Sequence, residues 1–86
     1  MNRLSIYVTA GCSSCRRARE IASSLEGVYP GVRVDVVETE TLSEGSLPES
    51  VVAFPAYLLN GTLISLGNPK PATIRDQLAE LVLGSG

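Results

Sequence analysis

Leu4, Ile6 and Val8 alternate with Ser5, Tyr7 and Thr9, and a period of two over such a run predicts a β-strand. Ala10-Gly11 breaks the alternation. From Ser13 the spacing turns helical: Ala18, Ile21, Ala22 and Leu25 recur on one face, while Arg16, Arg17, Arg19 and Glu20 take the other. Gly27 and the Tyr29-Pro30-Gly31 punctuation end this helix. Val32, Val34, Val36 and Val37 then give a second strand, rich in β-branched residues. Strand, helix and strand in so short a stretch predict a parallel pair joined by a right-handed crossover.

Residues 39–50 are polar and acidic and are interrupted by Gly45 and Pro48. They predict a loop holding at most a turn of helix. Two short apolar runs follow, Phe54-Pro55-Ala56-Tyr57-Leu58-Leu59 and Thr62-Leu63-Ile64-Ser65-Leu66, separated by Asn60-Gly61. Asn-Gly tolerates positive φ at both turn positions, so this is a strong hairpin signal. Gly67-Asn68-Pro69-Lys70-Pro71 is the next break. Asn68 is the expected cap of a last helix, with Lys70-Pro71 as the alternative boundary, since proline suits a helix's first position. Ile74, Leu78, Leu81 and Val82 mark that helix's apolar face, and residues 84–86 are expected to fray. The order predicts an α/β domain spanning residues 1–86: β-α-β, a loop or short helix, a β-hairpin, then α. The sheet has four strands of mixed direction, with helices expected on both faces.

Composition narrows the partners. A chain of 86 residues makes one compact domain and buries about 60–65% of its unfolded surface, so its core has few residues to spare. The apolar content argues against disorder. A net charge of −2 gives no reason to expect a nucleic-acid or membrane partner. The first eight residues lack the apolar stretch of a secretory signal, and no run approaches the roughly 20 apolar residues of a membrane span. The expected compartment is the cytoplasm, where thiols are kept reduced and a close cysteine pair points to catalysis or metal binding.

The chemistry therefore centres on Cys12-Ser13-Ser14-Cys15, at the junction of the first strand and first helix. The unpaired N–H groups and dipole of a helix's first turn favour an anion, so Cys12 is the expected nucleophile, with a lowered pKa. Cys15, one turn deeper, is the expected resolving thiol. Gly11 removes side-chain bulk beside the nucleophile, and Arg16 is a candidate to stabilise the thiolate. Arg16 with Glu20 also has the spacing of an ordinary helical ion pair, and Arg19 reads as solvated surface. Two other uses of the cysteines stay open. A structural disulfide would close a very short loop and constrain little of the unfolded chain. A metal or iron–sulfur site would need ligands from a second subunit or an external thiol, because the chain has no histidine and no third cysteine. A third reading keeps the reversible disulfide without turnover, as a redox-sensing module. A Cys-x-x-Cys pair beside a β-α-β pattern favours redox exchange.

The cysteine pair after the first strand, together with Phe54-Pro55 before the hairpin, resembles the thioredoxin/glutaredoxin superfamily, and the small size is more similar to glutaredoxin. The resemblance covers nearly the whole chain in element order. It implies a thiol–disulfide oxidoreductase active in electron transfer, with protein or low-molecular-weight disulfides as substrates and a thiol reductant as partner. It further implies a monomer with no bound cofactor, and glutathione as a co-substrate. It implies that Pro55 is cis and that Phe54 presents its backbone to an extended substrate by strand addition. Gly67 and Asn68 match, loosely, the stretch that holds glutathione in glutaredoxins. The chain departs from the family in having Ser13-Ser14 between the cysteines, no tryptophan, and no lysine just before the pair.

Overall fold

The computed structural model describes residues 2–43 and 45–84. Strand β1 (Asn2–Val8) leads into helix α1 (Ser13–Leu25), strand β2 (Val32–Glu38) and one 3-10 turn (Thr39–Thr41). A long loop follows, then strands β3 (Ala56–Leu59) and β4 (Thr62–Leu66) and helix α2 (Pro71–Gly84). The sheet order is β2-β1-β3-β4, with β1 and β2 parallel and the other two pairings antiparallel.

The alternation in β1 decides which way everything packs. Leu4, Ile6 and Val8 are fully buried. Their partners across the antiparallel ladder put Tyr57 beside Ile6 and Leu59 beside Leu4, on the same face. Ala18, Ile21, Ala22 and Leu25 of α1 join that cluster, and so do Ile74 and Leu78 of α2. Both helices thus cover one face of the sheet, which corrects the expectation of helices on both. The opposite face carries Tyr7, Ala56, Leu58 and Leu63, packed with Val51 and Phe54 from the loop. The reason lies in residues 39–50: Gly45 and Pro48 interrupt the segment and no apolar 3.6-residue repeat runs through it, so it has no stripe with which to hold a helix against that face.

The turns obey local chemistry. Asn60 and Gly61 both have positive φ, at 52° and 84°, as a tight two-residue hairpin turn requires. Asn60 also fastens the hairpin to β1. Its Oδ1 accepts from the Arg3 N–H at 2.9 Å, and its own N–H donates to the Arg3 carbonyl at 2.8 Å. Leu63 and Ile64 alternate, one to each cluster, and a register shift between Tyr57 and Leu58 then sets Ser65 opposite Tyr57. Helix α2 begins at Pro71, so Lys70-Pro71 is the boundary and Asn68 is not the cap. At its other end α2 includes Gly84, the first residue expected to fray; residues 85 and 86 lie outside the described residues.

Two leucines of α2 offer a test of this packing. Leu78 is fully buried and Leu83 is 82% exposed. Leu78→Ala is expected to cost about 2–5 kcal/mol, and Leu83→Ala less than about 0.5 kcal/mol, read by urea unfolding of each variant.

Candidate functional site

The end of β1 delivers Cys12 to the start of α1. Val8 closes the strand, and Gly11 turns the chain in the left-handed region, at φ +74°. A Cβ at Gly11 would meet no atom within 4 Å. What this chain requires of Gly11 is therefore its backbone conformation, and the space beside it is open to an outside molecule. Cys12 then takes an extended conformation and is itself the N-cap of α1. Its Sγ accepts the Cys15 N–H at 3.1 Å, the bond a serine or aspartate oxygen makes at most helix starts. The first turn carries no acidic residue, so nothing there opposes the partial positive charge of the helix end.

Cys12 and Cys15 form a disulfide with their Cα atoms 5.3 Å apart. Their environments differ: Cys12 is partly exposed, whereas Cys15 is 1% exposed and belongs to the core cluster. The 3.6-residue period explains this, because Cys15, Ala18 and Ala22 share the buried face of α1.

Phe54 and Pro55 come from the loop before β3. Their peptide bond is cis. Pro55 is fully buried, and its carbonyl accepts from the Gly67 N–H at 2.7 Å. Phe54 is half-buried and touches both apolar clusters. Gly67 and Asn68 sit in the turn between β4 and α2. The Asn68 Oδ1 accepts from the Tyr57 hydroxyl at 2.8 Å, and its Nδ2 donates to the Ser14 carbonyl at 2.9 Å. The turn is thus tied both to the loop carrying Pro55 and to the peptide between the two cysteines.

The charged candidates arrange themselves differently from the sequence pattern. Arg16 is exposed and forms no ion pair among the described residues. The expected Arg16–Glu20 pair is not made: Glu20 meets Arg17 instead, at 3.9 Å and three residues away. Three- and four-residue spacings are both neighbours on a helix, and spacing alone does not choose between them. Arg19, read as plain surface, makes the shorter contact, 2.7 Å to Glu38 at the end of β2.

Sequence reasoning missed two contributors. Tyr57 lies hidden in an apolar run. Its phenol pKa is pushed up to about 12 by burial, with the nearby Arg17 charge pulling the other way. The available signal was that a buried tyrosine needs a partner for its hydroxyl, but nothing in the sequence names Asn68. Glu40 is the second. Glu40 lies in the 3-10 turn, and its Oε1 accepts from the Thr9 hydroxyl and the Ala10 N–H, both at 2.7 Å. It therefore holds the loop that precedes Cys12.

Structural comparison places the architecture. The chain is similar to an oxidised mitochondrial thioredoxin 3 from Saccharomyces cerevisiae, with a TM-score of 0.72 and 19% identity, over 92% of this chain and 77% of that one. It is also similar to an oxidised thioredoxin from Plasmodium falciparum, with a TM-score of 0.69 and 15% identity, over 94% and 81%. This chain has a thioredoxin-like fold. A third thioredoxin-like neighbour, thioredoxin O2 from Arabidopsis thaliana, matches with a TM-score of 0.63 and 18% identity, over 95% and 76%. No protein family and no curated protein matches the sequence. Within the thioredoxin-like fold the Cys12–Cys15 disulfide stands at the first strand-to-helix junction.

The Glu40 contact carries a pH signature. Hydrogen bonds from Thr9 and Ala10 hold its carboxyl below the ordinary value of 4.5. A depressed folded pKa means that the anchoring is present above the unfolded value and is lost as pH falls through the folded one. An NMR titration should show the Ala10 amide resonance moving with a midpoint below 4.5, and Glu40→Gln should abolish that step. An Ala10 amide indifferent to Glu40 would refute the anchor.

Proposed function

We propose that this protein is a dithiol–disulfide oxidoreductase that reduces disulfides of proteins or small thiols through Cys12 and Cys15. The observation carrying this reading is the asymmetry of the pair. Cys12 is partly exposed and its sulfur caps a helix by receiving the Cys15 N–H, while Cys15 is buried in the core. A sulfur in that position is stabilised as a thiolate.

In the reaction, the Cys12 thiolate attacks one sulfur of the substrate disulfide. A Cys12–substrate S–S bond forms, and the other substrate sulfur leaves as a thiolate that takes up a proton. Cys15 then loses its proton and attacks the Cys12 sulfur. The intramolecular disulfide forms, and the second substrate sulfur leaves. Two electrons pass from the dithiol to the substrate, and an external thiol reductant returns the pair to the reduced state. Phe54 and Pro55 are the residues we assign to an extended substrate backbone, by strand addition, and glutathione is one small-thiol partner of the right class.

The metal-carrier reading lacks a comparable observation. Among the described residues no three histidine, cysteine, aspartate or glutamate side chains converge, so the ligands would have to come from elsewhere. We place the reaction in the cytoplasm, where thiols are kept reduced and a close cysteine pair serves exchange chemistry.

Reduced protein should show a Cys12 thiol titrating well below the free value of about 8.5. Cys15→Ser should accumulate a mixed disulfide with glutathione disulfide or a model protein disulfide, detected by intact mass. Cys12→Ser should form none and should reduce no disulfide. A reversible Cys12–Cys15 bond with no acceleration of disulfide reduction by any thiol reductant would instead identify a redox sensor.

A further inference from the structure

Two hydrogen bonds meet across the Ser14–Cys15 peptide unit, whose N–H is shared with the Cys12 carbonyl at 3.2 Å. Its N–H, from Cys15, donates to the Cys12 Sγ at 3.1 Å. Its C=O, from Ser14, accepts from the Asn68 Nδ2 at 2.9 Å. The Asn68 Oδ1 in turn accepts from the Tyr57 hydroxyl at 2.8 Å. The donors all point the same way: phenol to amide oxygen, amide nitrogen to peptide oxygen, peptide nitrogen to sulfur. In such a chain each bond polarises the next and strengthens it. An amide whose oxygen is engaged by a donor carries more positive charge on its own N–H, and the same holds for the peptide beyond it.

The sequence supplies the ends of this chain from distant places. Tyr57 is in β3 and fully buried, and Asn68 is in the turn before α2, 54 residues from Ser14. Burial keeps the Tyr57 proton in place, since its pKa stands at about 12, so the chain starts from a permanent donor. The turn is further braced by the Gly67 N–H on the Pro55 carbonyl and by the Ser65 hydroxyl on the Gly67 carbonyl, at 2.7 and 2.8 Å. Gly67, the residue before Asn68, is thereby fixed through both its N–H and its carbonyl.

We propose that Tyr57 and Asn68 are positioning residues that act on Cys12 through the Ser14–Cys15 peptide, strengthening the donor that stabilises its thiolate. This rests on the reading of Cys12 as the nucleophile and adds the element that tunes it. The effect grows on reduction, because a thiolate accepts more strongly than a disulfide sulfur, and hydrogen bonds to charged groups are the stronger class. Neither residue touches substrate in this role. Arg17, on α1, is the charged group whose field reaches Tyr57, and it stays unchanged in every variant below.

The test compares the Cys12 titration in the reduced wild type, Asn68→Leu, Asn68→Asp and Tyr57→Phe, followed by thiolate absorbance and by the rate of alkylation against pH. Asn68→Leu has similar volume and breaks the chain at its centre. Asn68→Asp keeps the acceptor for Tyr57 but has no donor for Ser14. Tyr57→Phe removes only the first donor. Losing a polarising bond of this kind corresponds to about a twofold to threefold fall in the thiolate fraction near neutral pH. That fall is expected for both Asn68 variants, with a smaller fall of the same sign for Tyr57→Phe. Thermal unfolding is measured alongside. Variants that melt earlier but titrate like the wild type would show Asn68 to be a structural brace only, and would overturn the proposal. An unperturbed wild-type Cys12 would instead count against the nucleophile reading, and the wild-type-to-variant difference would still decide the relay.

Discussion

Strand β1 is the constraint on which the rest depends. It is the inner strand between β2 and β3, and its alternate residues Leu4, Ile6 and Val8 have no exposed surface. Removing three such side chains from water contributes several kcal/mol, at about 1.5–3 kcal/mol each, in a domain with little surplus. Because the side-chain period is two, a slip of one residue would turn all three outward. The register of β1 is therefore tightly held. It fixes where the strand ends, and so where the three residues Thr9, Ala10 and Gly11 set down Cys12.

The candidate site is assembled on that endpoint from four separate parts of the chain. Helix α1 contributes its open N-terminus and the buried Cys15. The 3-10 turn after β2 contributes Glu40, which grips the loop before Cys12. The loop before β3 contributes Phe54 and Pro55. The turn before α2 contributes Gly67 and Asn68, the first bonded to the Pro55 carbonyl and the second to the Ser14 carbonyl. The reactive pair thus stands on rigid elements, with polar contacts holding the loops around it.

Placing both helices on one face has a consequence for the other. Val51 and Phe54 cover part of it, packed on Tyr7, Ala56, Leu58 and Leu63, while Val52 of the loop and Leu66 of β4 remain exposed. On the helix-covered face of the central strands Leu4, Ile6, Val8 and Tyr57 are fully buried and Leu59 partly so. Phe54 touches both clusters, so the segment that closes the second face is the same one that carries the cis Pro55, whose carbonyl accepts from the Gly67 N–H.

Much of this was written in the sequence. Alternation in β1, the 3.6-residue repeat of α1, the β-branched run of β2 and the Asn60-Gly61 turn are local patterns, and local sterics and solvation enforce them wherever they occur. The position of Cys12 at a helix start follows from the same patterns, and with it the distinct environments of the two cysteines. Other features depend on contacts between residues far apart in the chain. The side of the sheet taken by α2, the choice of Arg17 over Arg16 as partner of Glu20, the grip of Glu40 on Thr9 and Ala10, and the line from Tyr57 through Asn68 to Ser14 are of this kind. A hydroxyl buried in an apolar strand announces that it needs an acceptor, but only the packed sheet and helices decide which acceptor comes within 2.8 Å.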